Sequence, residues 1–572
     1  MTVTEFRKAL VAGVERMTAW SGLLDRINVF PVADGDTGRN LVISLSPLRR
    51  TDTAADTVAQ DLLFSARGNA GNIAARFFNA LMRTNSPESL AAAIDRGREQ
   101  AWQAVADPQP GTMLTFFDGL ARQAGQGAIQ GDLAWVGAVM NDLAVVVLET
   151  TAMQPRLKHA GVVDAGALGM FLFFDGFFHA MAGDAEAASP VTTLFAGRLD
   201  RRPDVQEEES GYCVDMVLAG SGSGEQDLAA LAQMGKSVVA IREGDYIKVH
   251  LHTPDRDRTR CDVEVFGSVL RWSEDNITAQ TAAFRDARPR QAIHIMTDAA
   301  GSLTRESAQA LDVTLLDSYI LLGENAFPES CLTPDLLYDA MKRGLPVSTS
   351  QASVFERHQS YQSVVDLYGK TLYLCVGSVY TGNCDIARQW KTRIDKGSCL
   401  DIIDTGSAAG RLGLLAAVTS QFACRTADAD EVIDYAKKAV HRCHEYIFLD
   451  SLHYLAAGGR MSKARAFLGD MLRMKPIISP MADGAGKVGM ARNRADQVAF
   501  AKEKLFTFLK PDSRSVIWLE YTDNADWVQK VLQPEVTKWY LLAEIVVKPL
   551  SLTTGVHTGP ATWAVAFFAD VL

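Results

Sequence analysis

From residue 1 to about 183, apolar residues recur every three or four positions and no sustained alternating run interrupts them. The opening "MTVTEFRKALVAGVERM" sets the pattern, with Phe6, Leu10, Val14 and Met17 on one helical stripe and charges between them. This predicts an all-helical N-terminal domain over 1–183. The next stretch, "DAEAASPVTTLFAGRLDRRPDVQEEES", is rich in small and charged residues with two prolines, and predicts a linker over 184–210. Between 211 and 288 come "GYCVDMVLAG", the helical "EQDLAALAQMG" and "KSVVAIREGDYIKVHLHTP", whose β-branched runs flank the turn "EGD". They predict a small α+β domain. Beyond "DARPRQ", apolar runs such as "AIHIMTD", "TLYLCVG", "LDIIDTG", "EYIFLDS" and "SVIWLEYTD" alternate with helical stretches at 407–423 and 428–443. That alternation predicts α/β layers on a largely parallel sheet across 290–572.

Length agrees with several domains: 572 residues exceed one core at roughly 100–200 residues per domain. Apolar residues at 48% and charged residues at 22% are a globular balance that excludes a chain dominated by disorder or a fibrous repeat. The net charge of -11 argues against general attraction to nucleic acid or to an anionic membrane. Eight cysteines are scattered without a CxxC pair, which fits reduced thiols in the cytoplasm better than a disulfide framework. The amphipathic pattern of residues 1–17 reads as a helix rather than as a signal peptide. The most membrane-like run, "AGALGMFLFFDGFFHAMAG", is broken by Asp175 and His179 and short for a bilayer, so it predicts a buried helix and no transmembrane segment. Transient membrane contact and a homo-oligomer stay open.

Chemistry concentrates first in "NVFPVADGDTGRN", residues 28–40, where Asp34 and Asp36 flank Gly35 and precede Thr37 and Gly38. Two carboxylates one glycine apart can converge on Mg²⁺, a hard cation usually held by one or two carboxylates plus substrate phosphates. Asp and Thr ahead of an apolar run are equally the composition of a helix N-cap. A second glycine-rich loop, "SARGNAGNIAARFF", opens a helix whose N-terminal amides suit phosphate oxygens. "PGTML" and "GVVDAGALG" also precede helices.

Together, "NVFPVADGDTGRN", "ARGNAG", "GTML" and "LKHAGVVDAG" closely resemble the nucleotide-binding domain of the dihydroxyacetone-kinase-like (DhaL-type) family, in the version found in bacterial fatty acid kinases. The resemblance implies an eight-helix barrel with ATP and two Mg²⁺ ions at its mouth. By position, Asp34 and Asp36 would hold Mg²⁺ and carry catalysis, with Asn28 as a third contact. Thr37, Gly38 and the loop Gly68, Asn69, Ala70 and Gly71 would cradle phosphates. Thr112, Met113, Asp164, Ala165 and Gly166 would line the nucleotide. Arg39 departs from the small polar residue common in relatives.

In the middle segment, strand alternation puts His250 and His252 of "VHLHT" on one face, and Cys213 of "GYCVD" would complete three ligands suited to zinc. A pair of strand histidines beside a buried cysteine reads the same way from spacing alone. The segment is also similar to the middle domain of fatty acid kinases, which favours a structural Zn²⁺.

In the C-terminal half, "STSQAS", "GSVYTGN", "SLHYLAAGGRMSKAR" and "TTGVHTGP" sit where strands should end, and in parallel α/β architecture such ends face the ligand crevice. Ser and Thr are also ordinary turn residues. With "TDAAGSL" as opening strand and loop, the set resembles the DegV family of fatty-acid-binding proteins over about 290–572. By position, Thr349 and Ser378 would bond a fatty acid carboxylate and His557 would complete the network. Arg460, Arg492 and Arg494 match the region where a kinase domain would dock or phosphate would be met. Ala352, in place of a proline, and "VYTGN" depart from the family pattern.

The resemblances imply an ATP-dependent fatty acid kinase that makes an acyl phosphate and ADP, passing the product to a downstream acceptor enzyme. A carboxylate is ionised at neutral pH and needs no general base, so the remaining problem is charge repulsion at the γ-phosphoryl group. Two other readings compete: a lipid carrier or sensor with a non-catalytic kinase-like domain, and a dihydroxyacetone or triose kinase.

Overall fold

A computed structural model describes residues 2–82, 90–126, 132–201, 210–220, 225–285, 291–451, 453–457 and 474–569. The chain divides into two compact units, Met1–Ala287 and Arg288–Leu572.

The first unit begins with helices that follow the predicted periodicity. Ala165–Met181, the run that looked membrane-like, is a core helix buried along residues 165–179. Val3–Ala19 lies against it through the Phe6 and Phe177 rings, 5.8 Å apart, and through Gly176, where a Cβ would come within 2.7 Å of the Ala12 carbonyl oxygen. Arg16 crosses this interface to Asp175 at 2.5 Å, both side chains buried. On the other side, Phe77 stacks on Phe117 at 4.0 Å and Phe78 packs on Phe173 at 4.5 Å. Among the described residues one helix, Leu133–Met153, is long and apolar enough to cross a membrane by length and composition. It packs against Met113–Gly125 and Ala165–Met181.

The segment expected to be a linker is partly folded. Its residues 191–194 form a helical turn, Phe195 is buried against Phe171 with ring centroids 5.1 Å apart, and the Val163 N–H donates to the Arg198 carbonyl. Val191, Phe195 and Leu199 are three apolar residues in a polar stretch, enough to anchor it although composition favours a linker.

The middle segment forms an antiparallel sheet in the order Lys236–Glu243, Tyr246–Thr253, Tyr212–Gly220, Gly267–Asn276. The first two strands turn through Gly244 and Asp245, with Gly244 at φ +57°. The sheet docks on the helices: Val239 and Ile241 bury against Leu63 and Ala104, and Lys248 donates to the Ala66 carbonyl at 2.7 Å. One strand register places Cys213 opposite His252 and Asp215 opposite His250; the neighbouring register places Cys213 opposite Asp275.

The second unit corrects the expectation of a largely parallel sheet. One four-stranded sheet is parallel, in the order Leu400–Asp404, Thr371–Cys375, His294–Asp298, Val313–Leu316. A larger six-stranded sheet runs Gly484–Ala491, Lys475–Met481, Cys443–Phe448, Trp563–Phe568, Val516–Tyr521, Glu544–Pro549, and only its last pairing is parallel. A third, three-stranded sheet is antiparallel. Strands buried on both faces read as continuous apolar runs whichever way their neighbours point. Two-residue turns, at 482–483 and 323–324, then impose antiparallel hairpins.

Candidate functional site

In the first unit, four helices bring their N-termini to one cavity of about 570 Å³. Thr37–Leu45, Gly68–Met82, Met113–Gly125 and Ala165–Met181 present Asp36 and Thr37, Gly68 and Asn69, Thr112 and Met113, and Asp164 and Gly166 to it. Each of the four loops read from the sequence opens one of these helices, and their amides and dipoles favour an anion.

Asp36 occupies the N-cap position of Thr37–Leu45, yet its side chain makes no capping hydrogen bond. Its carboxylate faces the cavity beside Asp34, and Asn28 Nδ2 donates to Asp34 Oδ1 at 2.6 Å. Gly35 between them has φ +70°, a left-handed conformation that lets both carboxylates turn to one side. Burial, then Asp25 and Asp275, push Asp36 up to about 6. Burial and Asp36 raise Asp34 well above the usual carboxylate range. A pair of neighbouring carboxylates, one buried and one half-buried, that resists ionisation is a donor set suited to a divalent cation, which removes the repulsion.

The remaining loops divide by role. Thr112 caps its helix by accepting from the Leu114 N–H. Asp164 caps through the Ala167 N–H at 2.7 Å, and burial pushes it up to about 7. Ala165 is buried at the start of that helix. Gly68 has φ +63°, and a Cβ there would meet Asn40 Nδ2 at 2.2 Å. Gly38 and Gly71 serve packing: a Cβ would lie 2.0 Å from the Ser21 carbonyl oxygen and 2.1 Å from Ser44 Oγ respectively. Asn69 and Ala70 line the cavity between them. Arg39 reaches across to Asp275 of the middle sheet at 3.9 Å.

The same cavity is lined by Cys213, His250 and His252, whose ligand atoms lie within 4.8 Å of one another. The structure thus joins the aspartate loop and the Cys–His–His trio, which the sequence places roughly 180 to 220 residues apart. His250 Nε2 and His252 Nδ1 are buried without a hydrogen-bond partner among the described residues. Burial, then His250, pull His252 down to about 3, so it is neutral and able to donate a lone pair. Two orphaned imidazole nitrogens beside a thiol fit a zinc-class ion.

Sequence reasoning missed two residues. Lys236, whose register partner is His252, is the one cationic side chain among the described residues lining the cavity. A lone lysine in "GKSVV" carries no motif. Asp215, two residues after Cys213, is buried and accepts from the Gly68 N–H at 2.9 Å and Asn72 Nδ2 at 2.8 Å. Lys248 and His250 stand 3.3 Å from its oxygens. Burial alone would raise it, but Lys248 and His250 hold it well below the usual range. Strand alternation from Cys213 pointed to that face, since Asp215 shares it.

In the second unit Thr349, on strand Val347–Ser350, meets His557, on helix Leu552–Thr558, at 3.3 Å between Oγ1 and Nε2. Ser378 is exposed on the loop after Thr371–Cys375, its N–H donating to Asp404. Arg492 is exposed. Arg494 is half-buried, donating to the Ala561 carbonyl at 2.9 Å with its guanidinium 4.3 Å over the Trp527 ring, which makes it a pin of the fold. Arg460 lies outside the described residues.

Three family descriptions match along the chain: a DAK2 domain over residues 31–179, a FakA-like fatty acid kinase middle domain over 209–284, and the DegV family over 292–570. An uncharacterised protein of Staphylococcus saprophyticus subsp. saprophyticus is 26% identical over 358 residues, covering 56% of this chain and 61% of the relative. Protein YloV of Bacillus subtilis is 26% identical over 308 residues, covering 48% of this chain and 55% of the relative. The chain therefore spans less than two thirds of the length of these curated relatives. Among solved structures, DegV, a fatty acid binding protein from Bacillus subtilis, is 18% identical with TM-score 0.45, covering 49% of this chain and all of that one. The fatty acid kinase B3 protein of Streptococcus pneumoniae, loaded with linoleic acid, is 15% identical with TM-score 0.42, covering 48% and 99%. The chain joins a DAK2 domain, a FakA-like middle domain and a DegV-family region in one polypeptide, an organisation that fits a fatty acid kinase.

Proposed function

We propose that this protein is a fatty acid kinase, transferring the γ-phosphoryl group of ATP to the carboxylate of a fatty acid to give an acyl phosphate and ADP. The observation that carries the reading is the cavity of about 570 Å³ in which four helix N-termini face two neighbouring aspartates, Asp36 buried and Asp34 half-buried. A triphosphate suits the amides, and the carboxylates suit the cations that travel with it.

Asp34 and Asp36 would hold Mg²⁺, with Asn28 orienting Asp34. When bound, Mg²⁺ would neutralise phosphate charge that otherwise repels an incoming carboxylate. Thr37 and the amides of residues 69–71 would hold phosphate oxygens, with Gly68 shaping the loop, while Thr112, Met113 and residues 164–166 would form the nucleotide wall. Lys236 adds positive charge on the side of the middle sheet. Cys213, His250 and His252 would hold Zn²⁺ as a cross-strand clamp. The acceptor is already ionised, so this chain's residues have only to aim it and shield charge. In the DegV-family region Thr349, His557 and Ser378 would bond the carboxylate, and Arg492 would sit at the docking face. An acyl phosphate is a reactive anhydride, so an acceptor enzyme downstream is part of the reading.

The test supplies the purified chain with ATP, Mg²⁺ and oleate or palmitate and follows ADP. Oleate-dependent ADP release is expected, with none when dihydroxyacetone replaces the lipid. Lipid bound in the C-terminal region without ADP release would instead establish a carrier or sensor.

A further inference from the structure

Asp215 belongs to the middle sheet, yet its carboxylate ties together two sites on different parts of the first unit. Oδ2 accepts the Gly68 N–H at 2.9 Å and stands 3.3 Å from His250 Nδ1. Oδ1 accepts Asn72 Nδ2 at 2.8 Å and lies 3.3 Å from Lys248 Nζ. Asn72 also donates to the Gly68 carbonyl at 2.8 Å, so both peptide groups of Gly68 are held through this cluster. Lys248 in turn donates to the Ala66 carbonyl, two residues before Gly68. A single carboxylate oxygen is therefore shared between the first amide of the glycine-rich loop and an imidazole of the Cys–His–His trio.

Two consequences follow from elementary chemistry. His250 Nδ1 stands 3.3 Å from Asp215 Oδ2 and 3.8 Å from Cys213 Sγ, so the carboxylate fixes the ring beside the trio. A proton held on Nδ1 would leave the lone pair of Nε2, which has no hydrogen-bond partner among the described residues, for a metal. Gly68, at φ +63°, opens a helix whose amides would meet phosphate, and its own N–H is taken by Asp215. Any shift of His250 on binding an ion alters the strength with which Asp215 grips that loop. Any shift of the loop on binding phosphate alters the orientation of His250.

We propose that Asp215 is a positioning residue that couples metal occupancy of Cys213, His250 and His252 to nucleotide affinity at the Gly68 loop. The proposal rests on the metal and phosphate roles given to those groups under the proposed function. Coupling is reciprocal: loading Zn²⁺ changes nucleotide affinity by the same factor by which nucleotide changes Zn²⁺ affinity. Among the described residues of the trio's rungs, the Asp215–His250 pair is the one that reaches the loop amide.

The experiment uses the full chain and measures the affinity of a non-hydrolysable ATP analogue with Mg²⁺, before and after Zn²⁺ is stripped. Zn²⁺ affinity is measured by chelator competition with and without the analogue. In the wild type, each ligand is expected to tighten the other about tenfold, within the usual range of such couplings. In Asp215→Asn the factor falls to about one, both ligands still bind, and Zn²⁺ affinity drops roughly 10–100-fold. Because Asp215→Asn leaves Lys248 unpaired, Asp215→Asn/Lys248→Met serves as a neutral companion, and Asn72→Ala loosens only the loop side. Asn72→Ala should keep Zn²⁺ affinity within about twofold while the coupling factor shrinks, a split that a merely structural role would not produce. A tenfold factor retained in a folded Asp215→Asn chain overturns the proposal and leaves the kinase reading untouched. A wild-type chain that binds no Zn²⁺, or no nucleotide, overturns the site assignments and the coupling with them.

Discussion

At the scale of single residues, the aspartate loop shows how far spacing carries. "DGD" leaves capping and metal binding open, and composition cannot separate them. The geometry removes the capping role: Asp36 stands at the N-cap position without capping, and it lines the cavity. Asp34→Ala and Asp36→Ala should each lower kcat for phosphoryl transfer by about 10²–10³-fold while lipid binding persists, measured by ADP release alongside fatty acid binding. Loss of lipid binding in either variant would reassign the loop. Lys236→Met should raise the KM for ATP roughly tenfold and leave the fatty acid KM unchanged. Lys236 escapes sequence reading because it belongs to no spaced pattern, and Asp215 because strand alternation from Cys213 gives its face but not its partners; each matters through a cross-strand or helix-loop neighbour that only the fold supplies.

At the scale of elements, the helices are legible because one apolar stripe per helix survives in the sequence whatever it packs against. Their clamps are less so. In the sequence Arg16 is one charge on an amphipathic helix and Asp175 a break in an apolar run, yet they meet in the core at 2.5 Å. Burial alone would raise Asp175, but Arg16, with His179 and Ser189, holds it at about 2 against an ordinary 3.8. A carboxyl depressed in the folded state contributes stability that is fully present above the unfolded value and is lost as pH falls through the folded one. About 2 kcal/mol should therefore disappear between about pH 4 and pH 2, seen as a falling denaturation midpoint. Asp175→Asn should cost about 3–5 kcal/mol at neutral pH and flatten that acid limb, because the buried Arg16 loses the carboxylate that compensates its charge. At Gly68, Ala would strain a positive φ and collide with Asn40, so Gly68→Ala should lower the melting temperature and weaken nucleotide binding together. Strand direction is only partly legible: one sheet of the C-terminal half is parallel as expected, while in the largest sheet one antiparallel pairing is a two-residue hairpin and the others join strands well separated in the chain, which no local signal marks.

At the scale of the molecule, the division into Met1–Ala287 and Arg288–Leu572 has a thermodynamic consequence. Each unit has its own buried core, so calorimetry should resolve two transitions. ATP analogue with Mg²⁺ should raise only one and oleate only the other, by RT ln(1 + [L]/Kd) at each site. If one ligand raised both transitions equally, the units would not be energetically separate.

What the sequence alone determined is what is written in local order: helical periodicity over the first 183 residues, four small-residue loops at helix starts, a histidine pair two apart on one strand, and hydroxyl clusters after apolar runs. These follow from backbone geometry acting over a few residues, and they persist in any context. Tertiary structure decided which of those pieces meet. It placed the aspartates and the Cys–His–His trio in one cavity, gave the Gly68 amide to Asp215, set Thr349 against His557, tied Arg494 into the fold, and turned most of the large sheet antiparallel. The physical reason is that contacts between residues distant in sequence are selected by burial and by the need to pair every buried polar group, a condition on the whole fold that no short window of sequence contains.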